Sequence, residues 1–161
     1  NDKSLGRKQT NRSTKFMAFY NVPYKAGELK AVGYTDGKKV NESMLKTAEA
    51  PTQIKLTADR NIISADGEDL SYVTVELLDA KGRKNPKAES LIHFSIEGEG
   101  TIAGVGNANP ISVESYQLPE RKAWQGRCMI IVKSTYKSGK IILKVTSQNL
   151  QPAEIEISSV Q

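Results

Sequence analysis

Tyr72-Val73-Thr74-Val75-Glu76-Leu77-Leu78 and Leu91-Ile92-His93-Phe94-Ser95-Ile96-Glu97 decide the fold. In the first, Val73, Val75 and Leu77 alternate with Thr74 and Glu76; in the second, Ile92, Phe94 and Ile96 alternate with His93 and Ser95. A period of two is the signature of a strand with one face buried and the other wet. The same pattern recurs outward along the chain. Glu28–Tyr34, Gln53–Ala58, Cys128–Ser134, Lys140–Ser147 and Ala153–Ser158 all read as strands. Phe16–Tyr20 reads as a short apolar strand, and Phe16, Phe19, Tyr20 and Tyr24 read as core. Asp36-Gly37 is a hairpin signal leading into a strand at Lys38-Lys39-Val40, and Lys137-Ser138-Gly139 is a second hairpin signal. No 3.6-residue period lasts long enough for a helix. Short, regular, turn-punctuated strands predict an all-β, immunoglobulin-like antiparallel sandwich without the paired cysteines of antibody domains.

The chain divides near Ala48–Pro51, where a proline follows a small-residue run. Residues 51–160 are the right size for one complete sandwich. Residues 1–48 hold too few strands for a sandwich of their own and predict the C-terminal part of a truncated β-domain, so the chain reads as a fragment of a longer protein.

Composition mainly excludes. Of 161 residues, 38% are hydrophobic and 25% charged, which suits a folded globular chain. No apolar run can cross a membrane, and the polar opening Asn1–Gly6 is not a secretory leader. One cysteine, Cys128, excludes an internal disulfide and a thiolate zinc cluster. One histidine, His93, excludes a two-histidine metal site; it reads as an outward strand residue. Cys128 opens an apolar strand and reads as a buried, inert thiol. The net charge, 23 − 18 = +5, lies wholly in residues 1–50, which carry ten Lys/Arg and five Asp/Glu. These charges are scattered rather than blocked, which predicts a solvated face and no nucleic-acid partner.

The order of motifs carries a resemblance. NDKSLGRK, VPYKAGELKAVGYTDGKKV, LKTAEAPTQIKLTADR, ISADGEDLSYVTVELLDAKGRKNP, FSIEGEGTIAGVGNANPISVESY and RKAWQGR follow one another as in the C-terminal region of glycoside hydrolase family 2 enzymes, the β-galactosidases of Bacteroides-type bacteria above all. Asn1-Asp2-Lys3 departs from that pattern, which commonly has glycine at the second position. The resemblance implies a parent glycosidase whose catalytic barrel lies upstream, an invasin-like last domain, a periplasmic or cell-surface location, and the parent's other domains as partners. It carries no catalytic residue, cofactor or metal onto this chain.

Several local patterns resemble chemistry. Glu97 and Glu99 are two apart, as paired carboxylates would be in a strand, but Gly98 and Gly100 around them suggest a bent strand end. Asp66-Gly67-Glu68-Asp69 offers oxygen ligands without an EF-hand's spacing and reads as a polar turn. Gly98-Glu99-Gly100-Thr101-Ile102-Ala103 matches a dinucleotide-binding pattern only lexically, since glycines and a proline follow it instead of a helix. The stretch Gly104–Pro110 with Glu114, Tyr116, Arg121 and Trp124 reads as a long loop. Asn107, Asn109, Glu114, Tyr116, Arg121 and Trp124 are therefore the candidate contact residues. Aromatic faces stack on sugars and Asn, Glu and Arg bond to hydroxyls, whereas Trp and Arg also favour protein interfaces. Three roles stay open: structural support of the parent, a carbohydrate-binding module, or an adhesin-like protein-binding module.

Overall fold

The computed structural model describes residues 1–161, which form two compact units, Asn1–Thr47 and Ala48–Gln161. It contains eleven strands and no helix.

In the first unit, β1 (Glu28–Thr35) and β2 (Lys38–Lys46) pair antiparallel through Asp36 and Gly37, whose φ values of 49° and 75° are those of a primed hairpin turn. Leu29 lies opposite Leu45, and both are exposed. Residues 1–27 hold no strand, which corrects the expectation for Phe16–Tyr20. The Asn11 side chain instead accepts the N–H groups of Ser13 and Thr14, the Phe16 N–H returns to the Asn11 carbonyl, and Lys15 and Phe16 have φ near 52° and 57°. An Asx turn has taken the backbone that a strand would have used. Phe16, Phe19, Tyr20 and Tyr24 are exposed rather than core, because no second layer in this unit faces them. Asp2 adopts φ 53°, so aspartate sustains the left-handed conformation that glycine would hold more easily.

The second unit is a two-sheet sandwich. Its strands are β3 (Gln53–Ala58), β4 (Ile62–Ser64), β5 (Leu70–Leu78), β6 (Leu91–Gly98), β7 (Gly100–Gly106), β8 (Glu120–Lys122), β9 (Arg127–Ser134), β10 (Gly139–Thr146) and β11 (Ala153–Val160). One sheet runs β4-β11-β10-β6-β8 and the other β3-β5-β9-β7. All pairings are antiparallel except β4 with β11. The alternating residues meet between the sheets: Val73, Val75, Leu77, Ile130 and Val132 from one, Ile92, Ile141, Leu143, Val145 and Ile157 from the other, all fully buried. Each such aliphatic side chain contributes about 1.5–3 kcal/mol.

Three strands escaped the sequence reading. β4 and β8 have three residues each, too few to show a period. β7 was hidden by its glycines; Gly104–Gly106 belong to this strand and not to a loop. The chain leaves one sheet at Gly98 and enters the other at Gly100, so the Gly-rich motif is a crossing between sheets with a strand after it.

Asp79 fastens the start of this unit. Fully buried, it accepts the N–H groups of Glu49, Lys81 and Arg83 and the Arg83 guanidinium. Burial opposes its charge, yet these donors outweigh it and hold the carboxyl at about 2, below the ordinary 3.8. A carboxyl held lower in the folded state stabilises above its unfolded pKa and loses that stabilisation as pH falls through its folded one. Unfolding measured against pH should therefore show stability declining from about pH 4 to about pH 2. Asp79→Asn should be less stable at neutral pH and decline less steeply in that window. Asp69, also held at about 2 by Arg60 and the Ser64 N–H, and the other lowered carboxyls of this unit, Glu49, Asp66 and Glu114, supply the remaining slope. A variant as steep as wild type would contradict this role.

Candidate functional site

β8 is short, but its alternation points Arg121 inward between exposed Lys122 and half-buried Glu120. A buried guanidinium must be paired and bonded on several sides. One terminal nitrogen donates to the Glu114 carbonyl at 3.0 Å and the other to the Asn107 side-chain oxygen at 3.3 Å. The Glu114 carboxylate lies 3.8 Å from Nε, and the guanidinium sits 4.8 Å from the centroid of the Tyr116 ring. Nε is buried without a hydrogen-bond acceptor, which makes the carboxylate a charge partner rather than a bonded one.

Around this cation the loop 107–119 folds onto itself. Asn107 donates to the Lys122 carbonyl and accepts the Asn109 N–H, and the Asn109 side chain accepts the Ile111 N–H. Glu114 accepts the Ser112 hydroxyl and the Lys122 N–H. Partial burial works against its charge, but these donors and Arg121 prevail and lower its pKa below the usual carboxylate value. The Tyr116 carbonyl accepts the Val105 N–H from β7, and the Pro119 carbonyl accepts the Phe94 N–H from β6. The loop thus joins the edge strand of one sheet to the edge strand of the other and is fixed to both.

Five of the six candidate residues, Asn107, Asn109, Glu114, Tyr116 and Arg121, come together in this network. Trp124 does not join it. It is half-buried on a tight turn, where its backbone pairs with Arg127 across Gln125-Gly126. The polar side chains of these candidates bond to the loop and to β8. What projects outward is mostly apolar: Ile111 is 82% exposed, Val113 98%, Tyr116 59% and Leu118 52%, with Ser115 and Gln117 exposed between them. Alternation could not mark these residues, because the loop has no period. A legible signal was available in charge: Asn107–Pro119 contains one charged residue in a chain that is 25% charged.

The other chemical patterns resolve into local structure. Glu97 pairs with Lys144 of β10 at 2.6 Å, while Glu99 accepts the Thr135 hydroxyl just beyond β9 at 2.9 Å, so the two carboxylates have different partners. Asp66 accepts the N–H groups of Glu68 and Asp69, and Asp69 pairs with Arg60 at 2.7 Å. His93 is exposed, 3.3 Å from Glu120. Burial pushes the Cys128 thiol up to about 12, with Arg121 opposing weakly, so this cysteine is a packed apolar group.

Comparison with known proteins matches residues 54–156 to the family described as glycoside hydrolase family 2 C-terminal domain 5, and residues 1–41 to a domain of unknown function, DUF4982. The chain is 41% identical over 159 residues to the beta-galactosidase BoGH2A of Bacteroides ovatus, covering 99% of this chain and 19% of that protein. It therefore spans about a fifth of the length of that curated relative. A solved glycosyl hydrolase family 2 member from Bacteroides cellulosilyticus superposes with a TM-score of 0.90 at 45% identity, over 100% of this chain and 21% of that one. The D00-D0 domain of intimin shares the fold alone, with a TM-score of 0.52 at 14% identity, over 85% of this chain and 66% of that one.

Proposed function

The chain belongs to the glycoside hydrolase family 2 C-terminal domain family, and from that premise we propose that it is the non-catalytic accessory region of a longer bacterial β-galactosidase, supporting the enzyme's catalytic barrel. The observation that carries this reading is the span: near-complete alignment of the chain against only 19% of a beta-galactosidase. Its chemistry agrees. Retaining hydrolysis of a glycoside needs two carboxyl groups about 5 Å apart, and Glu97 and Glu99 are each engaged with a different partner. A glycan-binding role is less well supported, because Asn107, Asn109, Glu114 and Arg121 are bonded within the loop. The first unit fits the end of a larger β-domain, since its two-stranded sheet leaves Leu29 and Leu45 uncovered. The relatives are bacterial, which supports a bacterial parent, and a periplasmic or cell-surface location for that parent is part of the same proposal.

The test is removal of residues 48–161 from the full-length gene product. Turnover of a chromogenic β-galactoside per folded enzyme should persist, and the enzyme should unfold at a lower temperature. Loss of turnover in a product that still folds and melts normally would move chemistry into this chain.

A further inference from the structure

Resting on the accessory reading, we infer that the loop 107–119 is the surface by which this sandwich docks onto an uncharged, apolar face of its own full-length polypeptide. Four exposed apolar side chains, Ile111, Val113, Tyr116 and Leu118, fall within eight residues. Scattered exposed apolar residues need no explanation, but four such residues close together on one ordered loop mark a contact surface.

Charge selects the occupant. Glu114 is the loop's only charged residue, and its carboxylate is turned to Arg121, Ser112 and the Lys122 N–H. The outward face therefore offers neither a cation nor an anion to a charged partner. Of its amide and carboxylate side chains only Gln117 is free to bond a hydroxyl, since those of Asn107, Asn109 and Glu114 are bonded internally. A dry protein surface fits what remains. The relatives show how much polypeptide is available to meet it within one chain: this region aligns with 19% of a beta-galactosidase, and most of that protein lies outside it.

The loop is also pre-shaped for contact. Arg121 grips Glu114 and Asn107 from below, and Val105 and Phe94 hold its return to both sheets. Binding then orders little chain, which lowers the entropic penalty of association.

The experiment is hydrogen exchange of the 107–119 peptide in the full-length protein and in the isolated chain, each as wild type and as I111D/V113D. Both substituted positions are more than four-fifths exposed, so the isolated variant should melt and exchange like the isolated wild type. In the full-length protein the wild-type loop should exchange about tenfold more slowly than in the isolated chain, and the double variant should lose that protection. Equal exchange in full-length protein and isolated chain would overturn the inference. Protection that rises with concentration alongside dimer formation would place a second copy on the loop and overturn it too. So would protection of the isolated chain by a galacto-oligosaccharide. If deletion of residues 48–161 destabilises the parent but I111D/V113D changes nothing, only the loop assignment fails. If the deletion itself changes nothing, the accessory reading fails.

Discussion

Replacing Arg121 by alanine should lower the stability of the second unit by about 3 kcal/mol, because it removes a fully buried cation and leaves its partners unpaired. The effect has two parts. The sandwich loses the volume of its largest fully buried side chain. The loop loses the group that joins the Glu114 carbonyl, the Asn107 side chain and the Tyr116 ring. Urea unfolding would measure the first part. The second should appear as protease cleavage within 107–119 while the sheets remain folded. Arg121→Met combined with Glu114→Gln should recover part of the loss, since an apolar side chain fills the space and no carboxylate is stranded. A loss under about 1 kcal/mol for Arg121→Ala would mean that the buried network is not what shapes the loop.

Gly98→Ala should cost about 3 kcal/mol by the same measurement, through backbone geometry instead of charge. Gly98 has φ +92°, and a Cβ placed there would lie 2.0 Å from the Lys140 carbonyl oxygen. That carbonyl already accepts the Glu99 N–H at the crossing between sheets, so it has no direction in which to yield. Gly82→Ala is the control. Its φ is +74° with nothing within 4 Å of the added carbon, so only the conformational strain of about 1 kcal/mol applies. Equal losses at the two positions would show that the close approach at Gly98 contributes nothing.

The sequence was most legible where one face of a strand is buried. Val73, Val75 and Leu77 alternate because every second side chain enters the core, and the same is true of Ile92 and Phe94. The hairpin at Asp36-Gly37 was legible from turn chemistry. Phe16–Tyr20 misled for a related reason. An apolar run predicts a strand only if something covers it, and the Asn11 turn decides the local backbone in this unit. β7 was illegible because glycines at 100, 104 and 106 give no apolar period, while its pairing with β9 is set at long range.

For the site, proximity in sequence identified the group around Arg121 but not its direction. Asn107, Glu114 and Arg121 are polar, and their spacing alone leaves open whether they face a glycan, a protein or the core; burial of Arg121 makes them satisfy one another. The residues that face outward, Ile111, Val113 and Leu118, drew no notice because exposed aliphatic side chains leave no motif. Trp124 was grouped with them by sequence distance, whereas its turn places it outside the arginine network.

Scanning calorimetry of the full-length gene product with and without residues 48–161, with β-galactosidase turnover measured on both, is the most direct test of an accessory role. Support of the barrel predicts a lower unfolding temperature for the shortened enzyme and unchanged turnover per folded molecule at low temperature. An unchanged unfolding temperature, or turnover that disappears while the barrel stays folded, would contradict it.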